Sequence, residues 1–216
     1  TELTAQAKVR LSAIAESNWS AKRAARREIT LTTAEATPIA NDWLMMQITN
    51  ALPADGIVVN EGLTSAWQLL DFLPYRDRWS YHANASGGIG WAIGAAIGVQ
   101  LAQPDRPLIA IIGDGSAMYS IQALWTAARL NLPITYVIAN NKGYRILKQR
   151  LKAFHGNDNF IGMSIDGPEI DFVALARSLG ISAEAVTAPD AVRPALDSAI
   201  ASGKPTLIDV AVQTSL

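Results

Sequence analysis

The hydrophobic positions of this chain fall into short, continuously apolar runs that alternate with longer segments of mixed polarity. The clearest runs are PLIAII (107–112) and ITYVIA (134–139), and GIVVN (56–60) and TLIDVAV (206–212) are similar. Apolar runs of this length without polar alternation predict strands that are buried on both faces. The segments between them have helical length, so the pattern predicts strands joined by helices.

The intervening segments predict the remaining elements. Glycine, asparagine, aspartate and proline are frequent over 155–170, which predicts a loop. Together the elements indicate an α/β fold, a parallel sheet with helices on both faces, as a single domain over residues 37–216. Helices are predicted at 38–51, 64–72, 87–103, 117–129, 144–154, 171–179 and 189–201, with short segments at 78–82 and 182–186.

Residues 1–36 differ from the rest and predict an amphipathic helix running into a linker, or the end of a preceding domain. Because acidic residues are interspersed among the basic ones, we expect a solvated connecting segment rather than a nucleic-acid or membrane patch. The first residue is Thr1 rather than Met, so we expect the chain to be a piece of a longer protein. The charges concerned are Lys22, Arg23, Arg26 and Arg27, with Glu2, Glu16 and Glu28.

Composition narrows the classes of function. Of 216 residues, 50% are hydrophobic and 17% are charged, and the net charge is −1. These values predict a large buried core and argue against nucleic acid as a partner. The chain has no cysteine and two histidines, His82 and His155, which excludes disulfides, cysteine-ligated zinc and a multi-histidine metal site within one chain. The absence of cysteine fits a reducing, cytoplasmic compartment.

An uncharged stretch at 83–104 has the length of a membrane span. It contains Asn84, Ser86, Gln100 and five glycines, and its densely apolar part is shorter than a bilayer requires. We therefore expect no membrane association.

Candidate chemistry follows two of the apolar runs. Gly113-Asp114-Gly115 comes after 107–112, and Asn140-Asn141 comes after 134–139. Neighbouring parallel strands would deliver the Asp114 carboxylate and the Asn141 amide to the same sheet edge. Each group alone is typical of a turn. Together they favour a site where Mg²⁺ or Ca²⁺ holds a diphosphate, because these cations prefer oxygen ligands and glycine lets backbone N–H groups approach an anion.

The segment GDGSAMYSIQALWTAA (113–128), followed by Asn140 and Asn141, resembles the cofactor signature of thiamine-diphosphate-dependent enzymes. The wider stretch 60–216 resembles their carboxyl-terminal, diphosphate-binding domain, and most of all that of benzoylformate decarboxylase. Residues 87–133 carry most of this resemblance.

The resemblance implies a role for each matched residue. The side chains of Asp114 and Asn141 and the backbone carbonyl of Gly143 would ligate Mg²⁺. Leu63 departs from the decarboxylase, which has a hydroxyl residue there. The diphosphate of thiamine diphosphate would be bound by Thr64, Gly115, Ser116 and Tyr144.

A second element lies at Gly87-Gly88-Ile89-Gly90. The resemblance implies that the Gly87 carbonyl accepts from the cofactor's aminopyrimidine, and that Ile89 wedges between its two rings. A purely structural interpretation is close helix packing, with Gly94 and Gly98 extending a ridge of small residues. Gly88-Ile89-Gly90 does not continue as a dinucleotide-binding G-x-G-x-x-G motif.

The resemblance further implies a 2-oxo-acid decarboxylase. Ile146, Leu147 and Arg150 fall where the family lines its substrate pocket, and Arg150 replaces an aromatic residue of the decarboxylase. An acetolactate-synthase-like carboligase and a non-catalytic cofactor-binding module are the alternatives. Glu61 follows a strand and fits a helix-start carboxylate better than a general acid.

The family's cofactor lies between domains of two subunits. The glutamate that activates it belongs to a pyrimidine-binding domain that residues 1–216 do not contain, and no residue here matches it. The resemblance therefore implies a homo-oligomer, and it implies that the chain is inactive as an isolated fragment.

Overall fold

A computed structural model describes residues 4–15 and 17–216. Within them, a single sheet has six parallel strands in the order β2-β1-β3-β4-β6-β5. From β1 the chain runs outward to β2 and then crosses back to β3, so the direction of winding reverses beside β1. The strands are β1 (Ile57–Glu61), β2 (Tyr81–Ala83), β3 (Leu108–Gly113), β4 (Ile134–Asn140), β5 (Ser182–Val186) and β6 (Thr206–Ala211).

Helices connect these strands and cover both faces of the sheet. The predicted α/β fold with a parallel sheet is therefore confirmed. The helices are α1 (Ala5–Ala15), α2 (Trp19–Leu31), α3 (Asn41–Ala51), α4 (Leu69–Phe72), α5 (Ala92–Ala102), α6 (Asp114–Ala117), α7 (Leu124–Arg129), α8 (Arg145–His155), α9 (Phe172–Ser178) and α10 (Val192–Ala201), with 3₁₀ turns at Leu63–Ala66, Ile121–Ala123 and Pro189–Ala191.

Two apolar clusters, one on each face of the sheet, form the core. In β3, Ile109 and Ile111 belong to the cluster under α3, α4 and α10. Their neighbours Ala110 and Ile112 belong to the cluster under α5, α7 and α9. Because successive side chains of a strand point to opposite faces, burial on both faces requires the uninterrupted apolar runs seen in the sequence.

Several predicted helices differ from the observed ones. The segment 38–51 becomes helical at Asn41, and the segment 189–201 begins as a 3₁₀ turn and becomes α-helical at Val192. The segment 87–103 becomes helical only at Ala92, because Gly87 and Gly90 have φ values of 75° and 92°, outside the helical range. The segment 64–72 divides into a 3₁₀ turn and the short α4. The segment 117–129 also divides: helix α6 begins earlier, directly at Asp114, and α7 follows a second 3₁₀ turn.

The segment 1–36 contains α1 and α2. Helix α2 contacts α3 and α4, where Arg27 donates to Asn50 at 2.7 Å and Arg26 pairs with Asp71 at 3.5 Å. The assignment of 1–36 to a linker or a preceding domain stays a prediction. Thr1, Glu2 and Glu16 lie outside the described residues. Among the residues described, no helix combines the length and the apolar character needed to cross a bilayer.

Candidate functional site

The loops that follow β1, β3 and β4 converge on one cavity of about 360 Å³. These three strands are neighbours in the middle of the sheet, beside the reversal of winding. Parallel α/β sheets bind ligands at this position, beyond the carboxyl ends of the strands. All nine residues expected to contact a cofactor line the cavity: Thr64, Gly87, Ile89, Asp114, Gly115, Ser116, Asn141, Gly143 and Tyr144.

Asp114 is a buried carboxylate at the start of α6, directly after β3. One of its oxygens accepts from the backbone N–H of Gly143, 2.8 Å away across the gap between β3 and β4. Burial raises the pKa of Asp114 to about 6, although the N–H groups of Gly115 and Gly143 act in the opposite direction. A bound cation would compensate the cost of burying this charge.

Asn141 supplies the second polar group. Its Nδ2 donates to Ser65 Oγ at 3.3 Å, while its Oδ1 is buried and has no hydrogen-bond partner within residues 4–15 and 17–216. Buried polar atoms without partners are uncommon in folded proteins and call for an explanation. A metal ion ligated by this oxygen would provide one.

The donor set fits Mg²⁺. Across the described part of the chain, no three histidine, aspartate or glutamate side chains come together as a metal cluster. A cation here would therefore use one carboxylate, one amide oxygen and a backbone carbonyl, and ligand or water oxygens would complete the shell. Mg²⁺ commonly keeps few protein ligands and several phosphate or water oxygens.

The loop carrying Asn141 and Gly143 has a constrained backbone. Lys142, between them, has φ of 57°, and Leu63, which also lines the cavity, has φ of 46°. Non-glycine residues seldom adopt this left-handed region, and such strain concentrates at functional sites. At Gly143, a Cβ atom would lie only 2.6 Å from the backbone oxygen of Met163.

Gly143→Ala is accordingly expected to displace the loop and to weaken Mg²⁺ binding about tenfold, a cost of about 1.4 kcal/mol. The measurement is titration of the full-length protein with Mg²⁺ at a fixed concentration of thiamine diphosphate. Gly167→Ala is the control, because a Cβ there meets nothing within 4 Å. Equal Mg²⁺ affinity in the two variants would contradict the expectation.

The turn before α8 and the start of α6 fit closely together. A Cβ at Gly115 would lie 2.5 Å from the Tyr144 ring, so the ring occupies the space that glycine leaves. Ser116 is buried beside it. Thr64, in the 3₁₀ turn after β1, is also buried and faces the same cavity.

Glu61 holds the loop that carries Gly87 and Ile89. Its carboxylate accepts from the backbone N–H of Gly90 at 2.5 Å and of Ala92 at 2.6 Å. Glu61 is therefore a helix-start carboxylate, but it caps α5 rather than the turn that follows it in sequence. Neither His82 nor Asn84 lines the cavity, whereas Ile146, Leu147 and Arg150 do.

Arg145 was not singled out from the sequence, although it lines the cavity and is buried. Its Nε donates to Thr64 Oγ1 at 3.0 Å, and its Nη2 donates to Ser65 Oγ at 3.2 Å. A basic residue at the start of a helix resembles any surface residue in sequence. Only its position two residues after Gly143 indicated that it lies near the site.

The chain matches known proteins over most of its length. Residues 62–210 match the family described as thiamine pyrophosphate enzyme, C-terminal TPP binding domain. Benzoylformate decarboxylase of Pseudomonas aeruginosa is 37% identical over 183 residues, which are 83% of this chain and 34% of that protein. Acetolactate synthase isozyme 2 large subunit of Escherichia coli is 30% identical over 170 residues, 78% of this chain and 31% of that protein.

Solved structures agree with the sequence matches. A thiamine diphosphate-dependent 4-hydroxybenzoylformate decarboxylase from Rhodococcus jostii superposes with a TM-score of 0.78 at 36% identity, covering 83% of this chain and 34% of that one. The chain spans about a third of the length of the curated relatives it matches. By its family match and its identity to these relatives, the chain belongs to the thiamine pyrophosphate enzymes and contains their C-terminal, cofactor-binding domain.

Proposed function

We propose that this cavity binds thiamine diphosphate through Mg²⁺, and that the full-length protein decarboxylates a 2-oxo acid. The observation that carries the proposal is the convergence of two buried groups in one cavity. They are the Asp114 carboxylate and the Asn141 amide oxygen, which has no hydrogen-bond partner in the described part of the chain. In this proposal, Asp114, Asn141 and the Gly143 carbonyl hold the cation. The diphosphate contacts Thr64, Gly115, Ser116 and Tyr144.

When bound, thiamine diphosphate supplies the nucleophilic carbon and the electron sink that loss of CO₂ from a 2-oxo acid requires. The residues of this chain bind it and orient it. Ile89, on the cavity wall, would contact the rings of the cofactor, and the backbone carbonyl of Gly87 would accept from the aminopyrimidine. Glu61 supports both residues, because it fixes the N–H groups at Gly90 and Ala92.

The group that activates the cofactor has no candidate here. Of the described residues that line the cavity, Asp114 alone carries a carboxylate, and in this proposal it binds the metal. Glu61 is engaged by two backbone N–H groups. We therefore propose that the activating glutamate lies in a pyrimidine-binding domain, and we expect residues 1–216 alone to show no decarboxylation.

Oligomer formation and the missing domain are part of the same proposal. Trp67, Tyr119 and Trp125 are 60%, 61% and 51% exposed. The α5 positions Gly94 and Gly98 face open space. Large exposed aromatic side chains are typical of an interface, and a helix face without side chains leaves room for close packing. We propose that the pyrimidine-binding domain and a second copy of the chain cover these surfaces.

The proposed compartment is the cytoplasm, which the absence of cysteine favours.

The identity of the 2-oxo acid depends on Ile146, Leu147 and Arg150, which line the outer part of the cavity. Two apolar side chains and one cation would favour an acid with an apolar body and a second polar or charged group. The experiment is CO₂ release by the full-length protein from benzoylformate, pyruvate and branched 2-oxo acids. We expect turnover with at least one of them, and failure with all would overturn the decarboxylase proposal.

An acetolactate-synthase-like carboligase is the second candidate, because an acetolactate synthase large subunit is also 30% identical. Both reactions begin with loss of CO₂ and use the same cofactor contacts. Product analysis with pyruvate separates them: a decarboxylase releases an aldehyde, whereas a carboligase joins two carbon units. Acetolactate as the main product would favour the second candidate.

A further inference from the structure

Arg145 is a buried cation to which the proposed binding scheme gives no role. It is 6% exposed, and no carboxylate lies within ion-pair distance in the part of the chain that the structure describes. Its Nη1 donates to the Gln213 carbonyl at 2.9 Å. A buried charge is costly unless hydrogen bonds or an opposite charge compensate it. Its neighbours indicate what it does.

The first neighbour is Thr64. Its hydroxyl accepts from Arg145 Nε at 3.0 Å. A hydroxyl has one hydrogen and two lone pairs, so this bond uses a lone pair and leaves the hydrogen available to donate. Because Thr64 lines the cavity, that hydrogen can point at an anion bound there.

The second neighbour is Ser65. Its Oγ accepts from Arg145 Nη2 at 3.2 Å and from Asn141 Nδ2 at 3.3 Å. A side-chain amide whose nitrogen is fixed on one side presents its oxygen on the other. The oxygen in question, Asn141 Oδ1, is buried and has no hydrogen-bond partner among the residues that the structure describes.

We propose that Arg145 is a positioning residue that sets two cofactor contacts at once. Through Thr64 it directs a hydroxyl donor toward the diphosphate, and through Ser65 it turns the Asn141 amide oxygen toward the metal. This inference rests on the proposed function, namely that the cavity binds Mg²⁺ and thiamine diphosphate. The planar guanidinium is essential, because the single nitrogen of lysine cannot bond both hydroxyls in this fixed geometry.

The test measures the effect through Thr64 and the effect through Ser65 separately, in the full-length protein. Mn²⁺ affinity is measured by electron paramagnetic resonance at saturating thiamine diphosphate, and thiamine diphosphate affinity by calorimetry at saturating Mg²⁺. Ser65→Ala should weaken Mn²⁺ binding about tenfold and leave cofactor affinity within about threefold. Thr64→Val should weaken thiamine diphosphate binding about tenfold and leave Mn²⁺ affinity within about threefold. Arg145→Lys should weaken both about tenfold.

Two further variants sharpen the result. Arg193→Lys is the matched control, because its guanidinium pairs with Asp197 on the exposed face of α10, and both affinities should be unchanged. In the double variant Arg145→Lys/Ser65→Ala, Mn²⁺ binding should be no weaker than in Arg145→Lys alone, because both act through the same amide.

A purely structural role for Arg145 predicts a lower melting temperature in its variant. It does not predict that Ser65→Ala weakens mainly metal binding while Thr64→Val weakens mainly cofactor binding. Near-normal affinities in Arg145→Lys, or equal losses of both affinities in Ser65→Ala and Thr64→Val, would overturn the inference. If Arg145→Lys does not fold, the two hydroxyl variants decide. Absence of cofactor binding in the unaltered protein would instead refute the proposed function.

Discussion

Asp114→Asn in the full-length protein is expected to weaken Mg²⁺-dependent binding of thiamine diphosphate by at least about 100-fold. The substitution keeps the shape of the side chain but removes the carboxylate charge in a buried cavity, where charge interactions are strong. A 100-fold loss corresponds to about 3 kcal/mol. Titration calorimetry measures it, with Asp105→Asn as the matched control at an exposed position outside the cavity. An affinity within threefold of the unaltered protein would show that Asp114 does not bind the metal.

The same substitution should stabilise the metal-free protein at high pH. Burial raises the pKa of Asp114 from 3.8 to about 6. When folding raises the pKa of a carboxyl group, the contribution of that group to stability is fully present below its pKa in the unfolded state. The contribution is lost as pH rises through its pKa in the folded state. A difference of about two pKa units corresponds to about 3 kcal/mol. In EDTA, the Asn variant should therefore melt higher at pH 8 and nearly equally near pH 4. A lower melting temperature at pH 8 would contradict this account of the buried charge.

Glu61→Gln is expected to have the second large effect, on both stability and catalysis. The carboxylate is 2% exposed and accepts from the N–H groups of Gly90 and Ala92. Glutamine offers one acceptor oxygen and turns an NH₂ group toward the other N–H. Loss of a charge-assisted bond together with an unpaired buried donor costs about 3 kcal/mol. Thermal unfolding of the full-length protein measures this loss.

Turnover should fall more than cofactor affinity in this variant, because Ile89 directly precedes Gly90, the first of the two anchored positions. A misplacement of about 1 Å at a reacting centre can reduce the rate about 100-fold. Glu184→Gln, at an exposed position of β5, is the control. An unchanged melting temperature and an unchanged turnover number in Glu61→Gln would show that the loop is held by other contacts.

Much of the fold could be predicted from the chain because its central strands are buried on both faces. Ile109 and Ile111 face one cluster, Ala110 and Ile112 face the other, and the sequence therefore contains an uninterrupted apolar run. The convergence of Asp114 and Asn141 could be predicted as well. They lie far apart in sequence, but they follow strands β3 and β4, which are neighbours in the sheet.

The parts that escaped prediction depend on contacts between side chains and distant backbone or hydroxyl groups. Glu61 caps α5, about thirty residues further along, and no local pattern encodes that pairing. Arg145 meets Thr64 and Ser65 about eighty residues earlier in the chain. The start of α5 at Ala92 depends on the positive φ of Gly87 and Gly90, which a string of small and apolar residues does not reveal.

The most direct test of the central claim is a calorimetric titration of the full-length protein with thiamine diphosphate, in Mg²⁺ and in EDTA. Binding through a metal held by Asp114 and Asn141 predicts saturable binding at one site per chain in Mg²⁺. It also predicts loss of binding in EDTA and recovery when Mg²⁺ is restored, with thiamine lacking phosphates binding weakly under either condition. Equal affinity for thiamine diphosphate in EDTA and in Mg²⁺, or no binding in either, would contradict the account.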